Sequence, residues 1–120
     1  MAFLEHVAAS YPREACGLAS GERDGENVRV VAYHPVRNLA RERDRFDLDP
    51  EDVVRIEGLA RERGSELVAV CHSHPDAPAV PSREDVRGAW PGLDLVIAEV
   101  RSGGVTDQRA YRLSREPERA

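Results

Sequence analysis

The chain has no lysine: all 17 of its basic residues are arginines, set among 22 acidic ones for a net charge of -5. No stretch forms a basic block. The densest, RERDRFDLD, interleaves arginine with aspartate and glutamate and reads as a solvated face. A nucleic-acid partner, which calls for a concentrated positive field, is thereby disfavoured. Cysteine is scarce as well. Cys16 and Cys71 are too few for a disulfide framework and suit a reducing cytoplasm, with one bridge between them left open. No apolar run approaches the roughly 18 residues of a membrane span. The N-terminal MAFLEHVAAS lacks the basic start and long apolar centre of a secretory signal. What is present is a chain of 120 residues, enough for one domain that buries about two-thirds of its unfolded surface without disulfides or a structural metal. The expectation is a soluble cytoplasmic protein with no membrane partner.

Periodicity then orders the elements. Phe3, Leu4, Val7, Ala8 and Tyr11 recur at helical spacing, which predicts an amphipathic helix over residues 2–10, ended by Pro12. Two strands follow, over 15–20 and 28–33, with Asp24-Gly25 as a turn signal inside a longer loop and His34-Pro35 stopping the second. Asp49 as N-cap, Pro50 at the first position and Glu51 and Asp52 in the first turn start the clearest helix. Val53, Ile56, Leu59 and Ala60 form its apolar face, and Gly64 ends it. Leu67 to Cys71 reads as a buried strand carrying His72 to His74 at its end. Ser82 starts a short helix closed by Trp90-Pro91-Gly92, and 93–100 and 105–113 make a last hairpin. The order predicts a single α/β domain over residues 1–113, with a mixed, largely antiparallel sheet flanked by helices. The tail, 114–120, is charged and expected to fray.

The stretch LVAVCHSHPDAPAVPSREDV concentrates the chemistry. Side chains two apart on a strand share a face, so His72 and His74 can grip one ion while Ser73 points away or bonds to the backbone. Two imidazoles are half of a tetrahedral zinc site, and a catalytic site needs a third protein ligand with the fourth position left to water. Asp85, eleven residues beyond His74 at the start of the next helix, is the candidate. The same Ser82-Arg83-Glu84-Asp85 also fits a capping box, which requires no metal. Far upstream, Glu14 in YPREACGLASG opens an apolar strand; read alone, it is an ordinary strand-end carboxylate in solvent.

Together, Glu14, His72, His74, Ser82 and Asp85 resemble the signature of the JAMM (MPN-plus) metalloprotease family, E…H-S-H-P-x(6)-S-x-x-D. Asn38, the Phe46-Asp47-Leu48-Asp49-Pro50 segment and the helix before YPREACGLASG are also similar to its compact prokaryotic branch, over roughly residues 3–113. The fold implied is the JAMM/cytidine-deaminase-like one. The resemblance implies zinc held by His72, His74 and Asp85, with Glu14 as general base and acid, Ser82 supporting the oxyanion and Ser73 tuning the site from behind. It implies hydrolysis of a peptide or isopeptide bond at the Gly-Gly tail of a ubiquitin-like or sulfur-carrier protein. Cys16 and Cys71 are expected to be small buried residues. An exposed sheet edge predicts pairing with a second copy as a homodimer. Two other readings stand beside this one: a non-catalytic MPN-type scaffold, and a two-His, one-carboxylate iron site.

Overall fold

The computed structural model describes residues 3–112, so the tail and the boundary at 113 lie outside the described residues. Helix α1 spans Phe3–Ser10 and is followed by strands β1 (Cys16–Asp24) and β2 (Asn27–Val36). Helix α2 (Pro50–Glu62), β3 (Glu66–Pro75), α3 (Arg83–Arg87), β4 (Asp94–Arg101) and β5 (Gly104–Tyr111) complete the order. The strands form one sheet, β2-β1-β3-β4-β5. Every neighbouring pair is antiparallel except β3 with β4. The mixed, largely antiparallel α/β sheet read from the sequence is the one observed.

That one parallel pair shapes the site. Parallel neighbours need a crossover that returns the chain along the strand's length. Here the crossover is 76–93, and it carries α3 over the C-terminal end of β3.

Helices cover both faces of the sheet. On one, Ile56 of α2 packs with Cys16, Leu18, Val36 and Val70, joined by Phe46, Leu48 and Trp90. On the other, Val7 of α1 packs with Ala15, Ala98 and Val100. The caps of α2 follow its sequence: the Asp49 side chain accepts from Glu51 N at 3.0 Å, Pro50 opens the helix, and Gly64 follows it at φ 71°.

Four local expectations differ from the structure. Leu4 and Ala8 face solvent, and of the residues expected to form the apolar face of α1 only Val7 is fully buried. β1 and β2 run into their turn, with Asp24 paired to Asn27, so the loop between them is two residues and not a longer one. β2 does not stop at His34-Pro35, because it lies at the sheet edge and Pro35 pairs with Gly17 without needing to donate outward. Finally, α3 is a little over one turn and ends at a Gly88 cap, before Trp90-Pro91-Gly92.

Candidate metal centre

Three segments far apart in sequence deliver the site. β3 supplies His72 and His74, on the face that Val70 buries against α2. β1 runs antiparallel beside it with Cys16 opposite His72, and this register sets the residues just before Cys16 next to the histidines. Ser73 secures the junction. It is fully buried, its Oγ accepts from Ala15 N at 2.8 Å, and its own N–H donates to Ala15 O at 3.0 Å. Glu14, the residue before this clamp, is only 6% exposed, with Oε1 3.3 Å from His72 Nδ1. The solvated strand-end reading of Glu14 is therefore excluded. A carboxylate is rarely buried to this degree without a partner.

The crossover supplies the second carboxylate. Ser82 caps α3, its Oγ accepting from Asp85 N at 3.0 Å, while Asp85 Oδ2 accepts from Ser82 N at 2.8 Å. The same Oδ2 lies 3.1 Å from His74 Nε2, and Oδ1 lies 3.4 Å from His72 Nε2. The capping box and the metal reading do not compete: the box aims the carboxylate at both imidazoles.

Each ring is held from behind. His74 Nδ1 lies 2.7 Å from the Pro78 carbonyl, an acceptor only, so Nδ1 carries a proton and Nε2 faces Asp85. Phe46 stacks on His72 with ring centres 4.4 Å apart and planes 24° from parallel. His72 Nε2 is buried and has no hydrogen-bond partner among the described residues. An orphaned buried polar atom costs about 1–3 kcal/mol, and a lone pair offered to a cation removes that penalty. Glu14, His72 and His74 bring one donor atom each within 4.8 Å of one another, so these residues could hold a metal ion. Phe46 and Asn38 have contacts at this site that composition and spacing did not assign. The one available signal was an aromatic placed inside an otherwise charged run.

A cleft of about 500 Å³ opens over the centre. Glu14, His74, Ser82 and Asp85 are among its lining residues, and Val70, Trp90 and Leu95 contribute apolar lining. Cys16 and Cys71 are free, buried in separate clusters on the two faces of the sheet. Burial pushes both thiols up to about 12, and the structure holds no bridge between them.

The His74–Asp85 pair has a pH signature of its own. Burial works to lower the His74 pKa, but the Asp85 hydrogen bond and the Pro78 carbonyl outweigh it and leave the group above its ordinary 6.5. Burial works to raise Asp85, but His74 and the nearby His72 outweigh it and leave the carboxyl below its ordinary 3.8. Stability from His74 is full below 6.5 and is lost as pH rises through its raised pKa. Stability from Asp85 is full above 3.8 and is lost as pH falls through its lowered pKa. The stabilisation from this pair, read as the melting-temperature difference between chelator-treated parent and Asp85→Asn, should therefore be greatest between 3.8 and 6.5 and shrink on both sides. Thermal melts across pH check this.

The chain is similar to known proteins over most of its length. The chain is 41% identical over 95 residues to a desampylase of Haloferax volcanii, covering 78% of this chain and 67% of that protein. It is 27% identical over 113 residues to the CysO-cysteine peptidase of Mycobacterium tuberculosis, covering 93% of this chain and 76% of the peptidase. The chain thus spans about two-thirds to three-quarters of these relatives. A solution structure of a Desulfitobacterium hafniense protein superposes with a TM-score of 0.73 at 32% identity, covering 96% of this chain and 88% of that one. Residues 1–114 match the family of prokaryotic homologs of the JAB domain, and the chain belongs to that family.

Proposed function

We propose that this protein is a zinc-dependent peptidase or isopeptidase that cuts at the Gly-Gly tail of a ubiquitin-like or sulfur-carrier protein. One observation carries the proposal. Two imidazole Nε2 atoms converge on one carboxylate, one of them buried with no hydrogen-bond partner among the described residues, and a second buried carboxylate flanks the pair. Two nitrogens and one oxygen make the donor set of a catalytic zinc site with its fourth position open. Both histidines turn Nε2 toward Asp85, while Glu14 meets His72 at the other nitrogen. His72, His74 and Asp85 would therefore hold the ion, leaving Glu14 free to handle protons. The names of the relatives, desampylase and CysO-cysteine peptidase, support hydrolysis and a small protein conjugate as substrate.

Bound zinc supplies Lewis acidity and makes water acidic enough to deprotonate near neutral pH. The protein's own groups do the rest. Glu14 accepts the proton of the attacking water and delivers it to the leaving amine. Ser82 Oγ already accepts from Asp85 N, which leaves its O–H free to donate to the oxygen of the scissile carbonyl as charge builds there. Ser73 holds the backbone of Ala15, and so Glu14, in reach of the histidines. A scaffold would have no use for a buried imidazole whose Nε2 lacks a hydrogen-bond partner among the described residues, set beside two carboxylates. An iron site built on two histidines and one carboxylate gives Glu14 no function.

A Gly-Gly tail offers no side chains to read, so it must be bound as extended backbone in the cleft. Carrier proteins ending in Gly-Gly plus a short extension should be trimmed after the second glycine, as mass spectrometry of the products would show. Replacing either glycine with valine should slow cleavage by at least about tenfold, since a site fitted to glycine excludes a branched side chain. Equal cleavage of Gly-Gly and Val-Gly tails would rule out this recognition.

A further inference from the structure

The segment between β2 and α2, residues 37–49, lines the cleft with its residues 44–48 and carries Phe46 against His72. Phe46 and Leu48 pack it against the core under α2, but its backbone polar groups still need partners that hold them in place. The Asn38 side chain does so with a single amide. Nδ2 donates to Glu14 O at 3.1 Å and to Arg45 O at 3.0 Å. Oδ1 accepts from Ala40 N and Asp47 N, each at 2.9 Å. Both donor hydrogens and both lone pairs are thus used, the full capacity of a primary amide. The amide orientation follows from these partners, because the flipped form would set NH₂ against two N–H groups and oxygen against two carbonyls.

The identity of the four partners matters more than their number. Arg45 and Asp47 flank Phe46, whose ring lies on the face of His72. Glu14 carries the carboxylate that meets His72 Nδ1. Asn38 therefore joins, through one planar group, the two residues that hold the His72 ring by its face and by its edge. Leu39 N donating to Asp47 O at 2.8 Å and the Asn38–Leu48 bridge extend the same frame. Aspartate has the shape but no donors, serine has one donor, and glutamine is one carbon too long.

We infer that Asn38 is a positioning residue: it sets the orientation of the His72 ring and the placement of Glu14 without touching substrate or metal. The inference about the rate rests on the proposed hydrolysis; the inference about ring placement does not. The test is made first on the full-length, metal-free protein, ¹³C-labelled, with Asn38→Asp, Asn38→Ser and Arg45→Ala. Asp at 38 turns oxygen toward the carbonyls of Glu14 and Arg45, so the frame opens. The expected result is loss of Phe46–His72 cross-peaks and of the ring-current shift on the His72 protons, with β3 and β4 amide shifts kept. Asn38→Ser, which retains one donor, should lose part of that shift. Arg45→Ala removes the 2.6 Å ion pair with Glu84 but keeps the Arg45 carbonyl, and should preserve the cross-peaks. With zinc restored, kcat of Asn38→Asp should fall about tenfold to a hundredfold while KM moves less than about threefold, the pattern of misplaced reacting groups. Cross-peaks and kcat within twofold of the parent in both Asn38 variants would overturn the inference. Loss of the ring contact in Arg45→Ala as well would also overturn it, since the ion pair would then be the fastener. A parent protein that cleaves no Gly-Gly substrate, yet loses the ring contact in Asn38→Asp, would reject the proposed reaction and leave Asn38 as assigned.

Discussion

Protein carrying Glu14→Gln is expected to bind one zinc ion per chain and to cleave about 10²- to 10⁴-fold more slowly than the parent, near the top of that range because one group serves as base and then acid. The amide keeps the size of the carboxyl group. It can still reach His72 Nδ1, which lies 3.3 Å from Glu14 Oε1, so the fold and the metal site should survive. What it cannot do is accept a proton and return it. The experiment also decides between two arrangements that share the histidine pair. Glu14, His72 and His74 lie close enough to hold an ion by themselves, and if they did, Glu14→Gln would weaken zinc binding along with the rate. If His72, His74 and Asp85 hold it, zinc content stays full and the rate alone collapses. Elemental analysis beside a cleavage assay separates the two outcomes.

His72→Ala should lose zinc and turnover together. His72 is fully buried between Phe46 and the two carboxylates, and its loss would leave His74 as the one imidazole at the site. The metal-free fold should persist, because β3 keeps β1 and β4 as neighbours on both sides. Removing the ring leaves a cavity, which destabilises, but it also removes the orphaned Nε2, which offsets part of that loss. The clearest readout is the melting temperature with and without zinc. The parent should gain stability on adding the ion, and His72→Ala should not. Full zinc occupancy in the alanine variant would show that this histidine is not a ligand.

Much of this site could be read from the residues because its central element announces itself. An apolar run ending in His72-Ser73-His74 reads as a buried strand with two imidazoles on one face, and β3 is that strand. The start of α2 was equally legible, since Asp49, Pro50 and the acidic first turn act locally and need no tertiary partner. Other features depend on long-range register, which composition does not encode. The burial of Glu14 follows from β1 pairing with β3 across 58 residues, and nothing near Glu14 in the chain signals it. β2 could run through Pro35 only because it lies at the edge, a fact of sheet order. The brevity of α3 reflects its place in a crossover, where Ser82 and Asp85 satisfy each other and Gly88 ends the turn. Asn38 was visible as a family-like residue, but its four hydrogen bonds exist only once three segments have met.

The most direct test of metal-dependent hydrolysis is a zinc titration of the chelator-stripped protein, with cleavage of a Gly-Gly carrier bearing a C-terminal extension measured at each point. A single site built from His72, His74 and Asp85 predicts no cleavage in the stripped protein. The rate should then rise linearly and level off at about one equivalent of zinc, as one catalytic ion per chain requires. Stripped protein as active as the loaded form, or no cleavage at saturating zinc, would contradict the account.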